Sequence, residues 1–384
     1  MTLLDYFIVV LYLLTIFYVG IKYRDRSSNF STFMIAGRKV GLSLGVATML
    51  GTELGLITMM YNAQTGFRDL FAAFHIGLFA LAITMLIGVT GLVVVKLRDL
   101  RVKSIPEYYQ IRFGNKVRIV GAIILVVGGI LNMGLFLKVG AIFIQSVFSI
   151  PEGDLVLSII MIVLLLMVLV YTILGGMISV IITDFIQFVV LSLGMILSVA
   201  FSIYHLGWTN IFTQVELLSL NPDLIYNPIQ SRGGFYITWQ VVLGFVSAVI
   251  WPTAITRALS LDSSETVRKQ YMWSSASFLI RFIVPCFLGI CAYVYFNGYT
   301  PDSSWEKLSM MPKYLSEILP VGILGIVVAA MIAAFMSTHD SYLLCWSTII
   351  TNDIIDPIKG GRLTSSEKIK YSRIIIVFLG LYIL

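Results

Sequence analysis

The sequence predicts an all-α polytopic membrane protein, and three observations carry that reading. Hydrophobic residues make up 58% of the 384 and charged residues only 12%. A soluble domain carries about 45–50% apolar and about 25% charged residues, so the charges here are too few to coat a globule in water. Nine apolar stretches are long enough to cross about 30 Å of hydrocarbon, and a tenth reaches the last residue. Basic residues crowd alternate loops. The stretches suit helices; a barrel would show alternation in segments of about 10 residues.

Span 1 (about 3–22) has no basic n-region and is too long for a signal h-region, so it reads as a helix retained in the protein. Spans 2 to 9 fall at about 42–62, 71–95, 118–149, 154–174, 176–204, 236–258, 271–297 and 317–350, and span 10 starts at about 371. Twenty of the 26 lysines and arginines lie in the loops after spans 1, 3, 7 and 9. They include Arg24, Arg26, Arg38, Arg98, Arg118, Arg257, Arg268 and Lys368. The opposite side has only Arg68, Arg232, Lys307 and Lys313. The positive-inside rule makes the four basic loops cytoplasmic and the N-terminus external, in a multi-pass protein of the cell membrane. The net charge of +6 follows from this asymmetry and implies no nucleic-acid partner. Trp208, Tyr226, Trp305 and Tyr314 in the outer loops suit an interfacial belt. Cys286, Cys291 and Cys345 lie in apolar segments and read as small core residues.

Two spans are interrupted. Span 2 carries Gly41, Gly45, Gly51 and Gly55 around a polar Thr52-Glu53 pair. The glycines suit either a close helix-packing face or a broken helix whose freed carbonyls line a site; Glu53 favours the break, which is tolerated only against protein or a water-filled cavity. Span 7 has Gly244 and Ser247 in its middle and Pro252 near its inner end. Matched interruptions in two halves point to an inverted-repeat transporter with a midplane site. The first repeat then covers about 42–204 and the second about 236–384, in a single transmembrane domain with span 1 as an extra helix.

Span 9 contains AAFMSTHDS, residues 333–341. Ala334, Ser337, Thr338 and Ser341 share an arc of about 100°, with Asp340 about 60° beyond Ser337. Such oxygens suit a hard cation; alternatively the hydroxyls bond back to carbonyls of the preceding turn. Asp184 starts span 6 and is either a helix cap or a site residue. Lys138, deep in span 4, needs a partner, either Glu53 or a solute carboxylate. Arg281 reads as a residue that snorkels or pairs structurally. His75 and His339 have no ligand-spaced companions, and no nucleophile triad, phosphate loop or dinucleotide fingerprint argues for an enzyme.

At these residues the chain resembles the sodium:solute symporter family. The stretches that carry the resemblance are FMIAGRKVGLSLGVATMLGT, SIPEYYQIRFG, YTILGGMISVIITDFIQ, TRALSLDSSETVRKQ and VVAAMIAAFMSTHDSYLLCWSTIITNDI. The resemblance implies a LeuT-type fold of two inverted five-helix repeats. Relatives usually continue well beyond Leu384, so it also implies an incomplete second repeat. It implies a Na⁺ site of carbonyls from Gly51, Leu54 and Ala334 with the hydroxyls of Ser337 and Thr338. Some members bind a second Na⁺, which here maps to Asp184, Asp340 and Ser341, although Asp340 stands where some of them have Ser. The implied activity is Na⁺-coupled import of a small polar organic solute, with no organic cofactor and no obligate protein partner.

The departures concern the solute. Thr58 and Gly77 stand where sugar carriers of the family place Gln and Glu, and Ser247 where some members have a gating Tyr. This argues against a hexose. The solute set is then Glu53, Thr58, Lys138, Gly244 and Ser247, and opposite charges at Glu53 and Lys138 would suit a zwitterion or an organic acid. Two alternatives stay open: a symporter-like input domain of a histidine kinase, and a proton-coupled carrier using Glu53 or Asp184.

Overall fold

The computed structural model describes residues 1–23, 29–151, 153–173, 175–219, 221 and 223–384, which are overwhelmingly helical. Arg24, Arg26 and the expected last residue of span 5, Leu174, lie outside the described residues. Among the described residues seven helices are long and apolar enough to cross a membrane, or eight when the bent pair Gly234–Ile250 and Pro252–Ser260 is one span.

Span 1 occupies Leu3–Lys22, as its apolar run requires. Span 4 is Asn115–Val147, span 5 Asp154–Thr172, span 6 Met177–Leu206 and span 8 Ser264–Tyr295. Several boundaries differ from expectation, span 8 for one starting at Ser264 rather than at about 271. Span 2 is two half-helices, Leu42–Glu53 and Leu56–Asp69, and continues through a tight turn at Leu70–Phe74 into span 3, His75–Thr90. The polar end of the second half, Asn62 to Asp69, is mostly buried, so it stays helical where hydropathy ends the span at 62. Span 9 is Ile323–Ile349 with a π-helical extension at Ile350–Ile355. The residues before it form a separate helix, Ser304–Ile318. Span 10 begins at Ser365, because a Thr364/Glu367 capping box starts the helix before its apolar part.

Span 9 is the central element, buried almost throughout. Its neighbours receive its large side chains at small residues. The Trp346 ring fills the space beside Gly129 and the Phe335 ring that beside Gly140, both on span 4, while Ala330 packs on Gly194 of span 6. The tightest approach joins the second half of span 2 to span 8. A Cβ on Gly66 would overlap the Cys286 carbonyl, and one on Gly289 the Ala63 carbonyl. These backbones touch. Gly289→Val should therefore lower stability by about 1–3 kcal/mol or more, read as a lower apparent Tm in detergent; an unchanged Tm would show that the two helices are not in backbone contact.

Arginines of the basic loops hold neighbouring segments together. Arg98 donates to the carbonyls of Leu261 (2.9 Å) and Asp262 (2.8 Å). Arg118 pairs with Asp353 at 2.7 Å. The three cysteines are buried and unpaired with one another.

Candidate functional site

The break in span 2 comes at Leu54 (φ −92°, ψ 58°) and Gly55 (φ −76°, ψ 160°). Gly55 is needed for close approach: a Cβ there would overlap the Thr338 side chain. Gly51 lies against Asp184, whose carbonyl oxygen would sit 3.1 Å from an added Cβ. An α-helix that ends leaves its last carbonyls without backbone partners. Here span 9 supplies them. Ser337 Oγ donates to the carbonyls of Gly51 (2.8 Å) and Ala334 (3.3 Å). Thr338 Oγ1 donates to those of Thr52 (3.2 Å) and Ala334 (3.0 Å). The structure thus brings Gly51, Ala334, Ser337 and Thr338 together. Thr338 meets the Thr52 carbonyl rather than that of Leu54, and Leu54 is buried at the break itself. All the converging atoms are oxygens, the donor type a hard cation takes.

Next to this cluster lies a buried charge network. Asp184 is the eighth residue of its helix and fully buried, so it is no cap. Its Oδ2 accepts from Thr48 Oγ1 (2.6 Å) and Thr52 Oγ1 (3.3 Å) and pairs with Arg257 Nη2 at 3.3 Å. Arg257 also donates to Ser341 Oγ, which is 3.1 Å from Thr52 Oγ1. Asp340 accepts from Tyr171 OH (2.8 Å) and Ser341 Oγ (3.1 Å). Asp184, Asp340 and Ser341 therefore assemble, but around a guanidinium. The placement of Arg257 in an inner loop is corrected: it lies in Pro252–Ser260, all nine residues of which are buried. Sequence reasoning missed it because a basic residue ending an apolar run looks like a topology marker. The available signal was Asp184, since a carboxylate deep in apolar helices requires a cation.

A cavity of about 580 Å³ opens beside the two breaks, with Glu53, Thr58, Gly244, Ser247 and Arg281 in its wall. Glu53 accepts from Thr253 Oγ1 at 3.2 Å and pairs with Arg281 at 3.2 Å. It ends the first half of span 2 and faces the start of the second half of span 7, where the positive end of a helix dipole favours a carboxylate. Arg281 thus pairs rather than snorkels, the second of its two expected readings, and it does so in the cavity wall. The Lys138 expectation is also overturned. Its Nζ lies 4.3 Å above the Trp305 ring of the helix Ser304–Ile318, and Lys138 is not among the residues of the cavity wall. A long aliphatic stem lets lysine reach an aromatic ring on a neighbouring helix, so it needs no partner at Glu53. Gly77 faces span 8 backbone at Leu279, leaving no room for a larger residue.

A family model described as "Sodium:solute symporter family" matches residues 33–384. The chain is 25% identical over 374 aligned positions to sodium/proline symporter 2 of Staphylococcus saprophyticus, covering 92% of this chain and 69% of the relative. It is 24% identical to a sodium/sialic acid symporter of Proteus mirabilis, covering 99% of this chain and 76% of the relative. A solved structure described as the substrate-bound outward-open state of a Na⁺-coupled sialic acid symporter superposes with a TM-score of 0.88 at 19% identity. It covers 100% of this chain and 81% of that one.

Proposed function

The chain belongs to the sodium:solute symporter family, and on that premise we propose that it imports a small polar organic solute together with Na⁺ by alternating access. It is a multi-pass membrane transporter, not an enzyme, and Na⁺ is its coupling ion. In this reading it sits in the cell membrane with its N-terminus outside. The single observation that carries it is the Ser337 hydroxyl 2.8 Å from the Gly51 carbonyl, two oxygens from different helices meeting where span 2 is broken. Na⁺ is held by the carbonyls of Gly51, Leu54 and Ala334 and the hydroxyls of Ser337 and Thr338. Its binding draws spans 2 and 9 together beside the cavity and favours the solute-binding form. Solute must then tighten Na⁺ binding by the factor by which Na⁺ tightens solute binding. Each Na⁺ crossing 100 mV contributes about 2.3 kcal/mol.

At the Asp184, Asp340 and Ser341 cluster, Arg257 supplies the positive charge that the sequence reading assigned to a second Na⁺. We therefore assign one Na⁺ per cycle, at the first site.

In proteoliposomes an inward Na⁺ gradient should drive accumulation of at least one solute from a labelled panel of amino acids, sugars and organic acids. Replacing Na⁺ by choline at fixed pH should abolish it. Uptake undiminished in choline rejects the proposal.

A further inference from the structure

The buried charge pair in the cavity wall says what kind of solute fits. We propose that the cavity takes a zwitterion, its carboxylate held by Arg281 and its ammonium by Glu53. This rests on reading the cavity as the solute site.

Three observations lead to it. First, Arg281 and Glu53 are near one another and lightly engaged. The guanidinium has five donors. It spends them on Glu53 at 3.2 Å and Thr58 Oγ1 at 3.4 Å, both at the long end for a hydrogen bond, and its Nε has no partner among the described residues. Glu53 adds one contact, from Thr253. Each group retains capacity for a solute atom. The Phe278 and Phe282 rings, 5.0 and 5.1 Å from the guanidinium carbon, fix the position of Arg281 without using its donors.

Second, the fixed charges balance. Glu53 and Arg281 sum to zero. A solute with net charge would add an uncompensated charge in a region of low dielectric. A solute carrying both charges exchanges one neutral pairing for two.

Third, Glu53 and Arg281 are the charged groups among the described lining residues, and a solute with both charges can engage each of them with a full opposite charge. The apolar remainder of the cavity suits the hydrocarbon part of an amino acid.

The test is thermal unfolding of the purified protein in detergent, with and without Na⁺. The probes are the standard amino acids, L-proline included, the N-acetyl and amide derivatives of whichever binds best, glucose and sialic acid. With Na⁺ present, at least one amino acid should raise Tm saturably. Blocking either of its charges should weaken binding by about 30-fold or more. Arg281→Gln should lose that binding and Arg281→Lys should retain part of it. Glu53→Gln should weaken the amino acid but spare its N-acetyl derivative. Stabilisation by Na⁺ alone shows that each variant is folded and tests the Na⁺ reading separately. If Na⁺ stabilises but no amino acid does, or if blocked derivatives, glucose or sialic acid bind as well, the zwitterion is overturned and Na⁺ coupling stands. Unchanged amino-acid binding by Arg281→Gln overturns it too. If Na⁺ itself fails to stabilise the wild-type protein, the parent reading falls and takes this one with it.

Discussion

Replacing Arg257 by alanine is expected to lower stability by about 3–5 kcal/mol, the cost of removing one partner from a buried ion pair. The loss is large because of what stays behind. Asp184 and Asp340 are both fully buried, and without the guanidinium nothing described near them carries positive charge until Na⁺ arrives. The variant should therefore unfold at a markedly lower apparent Tm in detergent, and Na⁺ should recover more of that loss than it adds to the wild type. Arg257→Met combined with Asp184→Leu should recover most of the Tm, because an apolar replacement of a buried pair is often neutral or stabilising. A single variant with wild-type Tm would show that the pair contributes nothing, and the assignment of Arg257 as the internal counter-charge would fail with it.

The second large effect is expected at the break in span 2. Ser337→Ala with Thr338→Ala removes both hydroxyls from the oxygen cluster, along with their bonds to the Gly51 and Thr52 carbonyls. The half-saturating Na⁺ concentration for uptake should rise by about 100-fold or more, since changes outside the first ring of metal ligands already cost 10–100-fold. At saturating Na⁺ much of the transport should return, because the cavity residues Glu53 and Arg281 are untouched. Na⁺ dependence equal to wild type would remove the ion from this position. A loss that no Na⁺ concentration restores would point to a structural role for the two hydroxyls.

Much of the helical layout was legible in the residues. Leu3–Lys22 begins and ends where its apolar run does, and the break in span 2 lies among the glycines that weaken it. The break in span 7 lies at Trp251, directly before Pro252, where a missing backbone donor and a restricted preceding residue disfavour a continuous helix. The juxtaposition of Gly51 with Ser337 followed from family resemblance; helical spacing alone placed Ser337 and Thr338 on one face and said nothing of what that face meets. The electrostatic partners were not legible. Lys138 and Arg281 are both cations inside apolar spans, and hydropathy cannot tell which one reaches a cavity. The fold sends one to the Trp305 ring and the other to Glu53.

The presence of membrane-length helices and the places where spans 2 and 7 break were determined by the sequence alone, because bilayer thickness and the hydrogen-bonding needs of the backbone act on contiguous residues. Tertiary structure alone decided that Arg257 meets Asp184 across 73 positions and Arg281 meets Glu53 across 228. A charge in a low-dielectric interior is governed by whichever opposite charge lies within a few ångströms, and that distance exists only once the helices have packed.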